Sequence, residues 1–190
     1  MFIDYQNVHF TAWECFSTYG TPVYDCLIDP GKFADQVLAL RSSRNFEHVD
    51  LTEIHVFRGW PSRKHEGAQH ARVQRQQSNW TRDRRVRMHL RTLQYPRDWP
   101  DEPAKEKGVD VELAIEVVRS AITSAADVLI VATRDTDIVP ALDLVASSTS
   151  AKVELATWDG QSELKVASRP RVVRLGRSDF NRSRDTRDYS

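Results

Sequence analysis

The sequence predicts an α/β protein, a three-layer α/β/α sandwich built on a mainly parallel central sheet of strand order 3-2-1-4-5. Three observations predict it. Short apolar runs alternate with amphipathic helical segments, which implies right-handed parallel crossovers. The opening run Met1-Phe-Ile-Asp4 ends in an acid, and the later run Asp127-Val-Leu-Ile-Val-Ala132 leads straight into Thr133-Arg-Asp-Thr-Asp137. Placing those two strands side by side at the centre puts the topological switch point between them, where open α/β sheets bind ligands at the carboxyl ends of their strands.

Each element follows from local pattern. After Asp4, the segment Val8 to Tyr19 reads as a helix that packs Phe10, Trp13 and Phe16 inward. Thr21 to Pro30 is a loop, and Asp29 before Pro30 fits a helix cap with proline at the first position. The amphipathic helix that starts there ends near Ser42-Ser43. Leu51 to Trp60 is the second strand, Ser62 to Arg82 a polar helix, and Val86 to Tyr95 a third strand that alternates apolar and basic residues. Pro96 to Lys107, with three prolines, reads as a surface loop. From Asp110 the positions Leu113, Ala114, Val117 and Ala121 recur at the spacing of one helix face. Asp127 to Ala132 is a buried strand, Ile138 to Ala146 a helix, Ala151 to Thr157 a strand and Ser162 to Ala167 a short helix. Val172 to Leu175 closes the sheet. Residues 1–175 thus form one domain, and the polar stretch 176–190, poor in anything to bury, is expected to be disordered or to contact a partner.

Net charge is uninformative, because 27 Lys and Arg balance 27 Asp and Glu. Its distribution says more. Between Arg58 and Arg97 lie 11 basic residues against two acids, Glu66 and Asp83, so one region is basic and the remainder acidic. No apolar run approaches the ~20 residues of a membrane span. A strand beginning at Met1 leaves no room for a cleavable signal segment, and two cysteines, Cys15 and Cys26, are too few for a disulfide framework. A cytoplasmic setting is therefore expected.

The acids carry the chemistry. Asp4, Asp135 and Asp137 emerge at the carboxyl ends of the two central strands, and Asp110, on the inward face of its helix's first turn, reaches the same place. Carboxylates gathered in one pocket raise one another's pKa unless a divalent cation compensates, and oxygen-only ligands favour Mg²⁺ or Mn²⁺ over zinc. Asn7 and Thr133 stand where they would hold carboxylates or water in place. The bland alternative is capping: Asp135 at the helix that follows it, Asp110 at the helix after Gly108. It has to explain three strand-end or helix-start acids by coincidence.

At these residues the chain resembles the NYN domain, a branch of the PIN-like nucleases. The motifs are FIDYQN, with Asp4 and Asn7; KGVDVELAIE, with Asp110; and Thr133-Arg134-Asp135-Thr136-Asp137, followed by a proline-containing helix start. Three departures stand out. Glu116 occupies the place of a second Asp on the middle helix, and, six residues beyond Asp110, it points about 120° away from that face, so it is assigned beside the ligands rather than among them. Arg134 replaces a customary Gly, and Ser168-Arg-Pro-Arg171 replaces an acid before the last strand.

The resemblance implies a metal-dependent endoribonuclease hydrolysing RNA phosphodiester bonds with Mg²⁺ or Mn²⁺ on Asp4, Asp110, Asp135 and Asp137, leaving 5′-phosphate and 3′-hydroxyl ends. The basic segment reads either as a solvated face or as a phosphate-tracking surface for single-stranded or structured RNA, with Arg58, Arg82, Arg84, Arg85 and Arg134 as its candidates and Trp60, Trp80 and Trp99 as stacking residues. His9 lies near enough to Asp4 to be watched. A catalytically silent PIN-like module that binds nucleic acid or protein is the alternative, in which Arg134 fills the metal position. A homo-oligomer or a protein partner stays open. A small-molecule phosphatase would need an Asp-x-Asp start, and Tyr5 and Gln6 follow Asp4 instead.

Overall fold

The computed structural model describes residues 1–44 and 46–189. Six strands, β1 (Phe2–Asp4), β2 (Ile54–Trp60), β3 (Val86–Thr92), β4 (Val128–Ala132), β5 (Lys152–Trp158) and β6 (Arg171–Leu175), alternate with helices α1 (Tyr5–Phe16), α2 (Pro30–Ser43), α3 (Gly67–Trp80), α4 (Val109–Ile122), α5 (Val139–Ser148) and α6 (Arg177–Ser183). The strands form one sheet in the order β3-β2-β1-β4-β5-β6, and every neighbouring pair is parallel. The expected order 3-2-1-4-5 holds, with the closing strand added beyond β5. The switch point lies between β1 and β4.

The strand period of two divides the interior into two cores. Ile3, Val56, Ile130 and Ala156 join Ala12, Phe33 and Val37 of α1 and α2 on one face. Phe2, Phe57, Val131 and Leu155 join Val117 and Leu142 of α4 and α5 on the other. Two polar devices fix the first layer. Asp29 caps α2 by accepting from the Gly31 and Lys32 amides at 3.0 and 3.1 Å, as its place before Pro30 predicts. Arg41 of α2 makes a buried two-pronged ion pair with Glu154 of β5, at 2.6 and 2.9 Å.

Four expectations do not hold. The helix α1 begins at Tyr5 rather than Val8, because Asp4 itself caps it by accepting from the Asn7 amide at 3.2 Å. Phe10 on that helix is 45% exposed instead of packed inward. Residues 162–166 form no helix; a run so short has little gain against the cost of nucleation, and it buries Leu164 and Val166 without one.

The fourth difference is the C-terminal stretch, which folds. It contributes α6, an antiparallel bridge from Arg184 to Ile28, and a buried Asp185. Asp185 accepts from the Trp80 indole and from the Tyr189 hydroxyl, both at 2.7 Å, while Arg75 donates to the Tyr189 carbonyl. Trp80, expected as a stacking residue, is only 2% exposed. Its buried N–H needs an acceptor, and the polar C-terminal stretch supplies one.

Candidate active site

The site grows from the junction of β1 and α1. Parallel pairing of β1 with β4 sets Ile3 opposite Ala132, so Asp4 and Thr133 leave the sheet side by side. Thr133 donates its hydroxyl to Asp4 Oδ2 at 2.9 Å and accepts the Asp135 amide at 3.1 Å. Asp135 Oδ1 in turn accepts the Asp137 amide at 3.0 Å. On the other side, Asn7 gives its amide to Asp4 Oδ1, and its side-chain oxygen accepts the Arg134 amide at 3.0 Å. The two chain segments are thereby stitched across the switch point. Asn7 and Thr133 thus both hydrogen-bond to Asp4.

Burial pushes the Asp4 carboxyl above the ordinary aspartate range. The Thr133 and Asn7 hydrogen bonds pull it back, and the charges of Asp135 and Asp110 push it further up. Asp110 is half-buried in the first turn of α4, behind Gly108, whose φ of +76° lets the chain turn into that helix. Asp137 is exposed; its amide joins the group while its own side chain faces solvent.

A further carboxylate belongs here that the motifs did not reveal. Glu106, at the end of the proline-rich loop, accepts the Gly59 amide at the carboxyl end of β2. Burial comes first in raising its pKa, and Asp4 and Asp110 add to the rise while Arg58 opposes it. Gly59 is required for this approach, since a Cβ there would collide with the Glu106 carboxylate and with Leu93. The one signal in the sequence was an acid placed just before the Lys107-Gly108 helix start.

Glu116 sits elsewhere. It is buried on the inner face of α4, where Arg119 binds it at 2.9 Å through Nε and His55 Nδ1 lies 3.8 Å away. Pairing with Arg119 holds its pKa low. Two turns of helix carry it toward the amino end of the sheet, away from Asp4. Its assignment beside the ligands is therefore corrected: Arg119 on the same helix and His55 of β2 hold it there.

The basic candidates separate in the same way. Arg82, Arg84 and Arg85 lie in the turn between α3 and β3, at the amino end of a seven-residue strand, and so at the opposite edge from Asp4. Arg85 is also tied to Asp83 and Asp35 at 2.7 and 2.9 Å. Exposed cations on the carboxyl side include Arg63, Lys64, Arg91 and Lys107, of which Arg91 also pairs with Glu112 at 3.4 Å. Arg134 does not occupy the space among the acids: its guanidinium reaches Thr11 and Ser162, each at 3.4 Å. Arg58 lies over the Tyr5 ring, 4.7 Å from its centroid, and donates to Gln76 at 2.8 Å. His9 is buried with Nε2 on the Val23 carbonyl at 2.9 Å, and burial lowers its pKa to about 4. It is a neutral core residue.

Among the described residues, no three His, Cys, Asp or Glu side chains stand together as a ready-made metal cage. The donor set nevertheless fits a hard divalent cation. Asp4, Asp110, Asp135 and Glu106 offer oxygen alone; burial first, and then the neighbouring carboxylates, raise the pKa of Asp4 and of Glu106. A cation that prefers oxygen would relieve that repulsion.

A family model described as the NYN domain matches residues 1–173 of the chain. A solved structure from Vibrio parahaemolyticus, titled as a protein of unknown function, is similar at 16% identity with a TM-score of 0.48, over 82% of this chain and 78% of that one. No curated protein matches the chain.

Proposed function

Because the chain belongs to the NYN domain family, a PIN-like nuclease-type domain, we propose that it is a metal-dependent endoribonuclease. It hydrolyses RNA phosphodiester bonds at the carboxyl edge of the sheet. One observation carries the reading: Asp4 is a buried carboxyl whose ionisation is opposed by Asp135 and Asp110, in a place where its hydrogen bonds hold it fixed. Mg²⁺ or Mn²⁺ would be held by Asp4, Asp110 and Asp135, with Glu106 and Asp137 as flanking acids. When bound, the cation supplies Lewis-acid polarisation of the phosphate.

The chain's own residues do the positioning. Thr133 and the Asn7 backbone amide each fix one Asp4 oxygen, and the Asn7 side chain locks the β4–α5 turn through the Arg134 amide. Lys107 and Arg91, exposed beside the acids, supply positive charge for the RNA backbone.

A second reading, a nuclease-like fold that binds nucleic acid without turnover, draws on the lack of a preassembled three-ligand cluster among the described residues. One experiment separates them. Labelled single-stranded RNA is incubated with the purified chain and Mg²⁺ or Mn²⁺, with and without chelator. Metal-dependent cleavage that falls at least about 100-fold in Asp4→Asn and in Asp135→Asn supports the endoribonuclease. Binding without cleavage in either metal sinks it.

A further inference from the structure

α1 and α3 flank an open cavity of about 410 Å³ that begins at the residue after Asp4, within the range of about 300–1,000 Å³ typical of small-molecule sites. Tyr5 and Gln6, the residues that follow Asp4, form one wall. The opposite wall is a single face of α3, with Gln69, Arg72, Val73 and Gln76 at helical spacing. We propose that this cavity is a nucleobase subsite that takes one unpaired guanine of the RNA strand. The inference rests on the endoribonuclease reading for the identity of the polymer, and adds a residue-level specificity that the acids do not supply.

Three features point to a base. At the rim stand two exposed aromatics, Phe10 at 45% and Tyr24 at 59% exposure, on which an unstacked base gains a ring contact. Exposed aromatic rings beside a cavity are otherwise unfavourably hydrated. Arg72 lies 5.7 Å over the Tyr24 ring and brings positive charge to the entrance. The negative charge lining the cavity is Glu66, and the Tyr95 hydroxyl already donates to it at 2.6 Å.

The floor selects the base. Arg58 and Gln76 both line the cavity; burial lowers the Arg58 pKa while Tyr5 and the Glu106 carboxylate oppose that, and no ion pair within 4 Å ties the guanidinium down among the described residues. Its Nη1 is used by Gln76, and Nε is sealed with no acceptor among the described residues. Gln76 accepts from Arg58 with its oxygen, which leaves its amide N–H groups as donors. A sealed Nε meets no ligand, so Nη2 of Arg58 and the Gln76 amide N–H groups are the donors left to an incoming acceptor from the cavity these two residues line. Guanine presents two adjacent acceptors, O6 and N7, one for each of these two donor groups. Adenine and cytosine each present a donor in place of one acceptor on that edge.

The test is fluorescence anisotropy on the full chain in chelator, so that nothing is cleaved. The probes are a labelled ten-nucleotide oligouridine and the same oligomer with one central guanosine. The guanosine oligomer is expected to bind about ten-fold more tightly. The double variant Phe10→Ala/Tyr24→Ala, which changes two exposed residues, is expected to weaken binding of both oligomers by about ten-fold. Arg58→Lys, checked for folding by circular dichroism, is expected to abolish the preference for guanosine. Equal affinity for the two oligomers overturns the proposal, as does undiminished binding by the double variant. Absence of cleavage in the separate turnover assay counts against the endoribonuclease reading and leaves this measurement intact.

Discussion

Asp4 shows how one side chain serves the fold and opposes it at once. As the cap of α1 it satisfies the Asn7 amide, yet its charged form is penalised by burial and by two neighbouring carboxylates. The sign follows: an acid whose folded pKa is raised takes stability away as pH rises above its ordinary value. Replacing it with asparagine removes the charge while keeping an oxygen to accept from Asn7 or Thr133. In chelator at neutral pH, Asp4→Asn should therefore be more stable than the parent by roughly 0.5–2 kcal/mol in urea unfolding, the usual exchange of stability against function at an active site. Lower stability in the variant would mean that capping outweighs repulsion, and the case for a cation among these acids would weaken.

At the scale of elements, one buried ion pair reinforces the apolar packing of α2 on the sheet. Arg41 and Glu154 are 3% and 4% exposed, and no surface water is left to screen either charge. Truncating Arg41 to alanine strands a buried carboxylate, which typically costs about 3–5 kcal/mol. Thermal and urea unfolding of Arg41→Ala would measure the loss; a change below about 1 kcal/mol would place the pair in the class of exposed bridges. The C-terminal stretch is a second such attachment, because Asp185 answers Trp80 and the bridge to Ile28 runs beside α2. Neither contact is visible along the sequence, since the partners stand 113 and 105 residues apart.

For the molecule as a whole, the pH response is set by groups that folding keeps neutral. His9 has its pKa lowered from 6.5 to about 4, chiefly by burial. A histidine with a depressed folded pKa contributes stability in full above pH 6.5, and the contribution is lost as pH falls from 6.5 toward 4. At about 1.4 kcal/mol per unit, the loss approaches 3 kcal/mol at the acid end of that window. An NMR titration should show the His9 ring unchanged from pH 8 to 5.5. Protonation near pH 6.5 would contradict its burial against Val23. No helix among the described residues is long and apolar enough to cross a membrane.

Much of this was written locally. Short apolar runs and the residues ending them determined a parallel sheet with its switch point at Asp4 and Thr133-Asp135, and Asp29-Pro30 determined where α2 starts. Those signals are legible because they depend on neighbours within a few positions. What only the tertiary structure decided was the company each charged residue keeps. It brought Glu106 against Gly59, sent Glu116 to His55, put Arg82, Arg84 and Arg85 at the far edge of the sheet, turned Arg134 toward Thr11, and folded the tail onto Trp80. The reason is physical: a side chain's charge acts through space, and distance in space is set by crossovers that the local pattern does not encode.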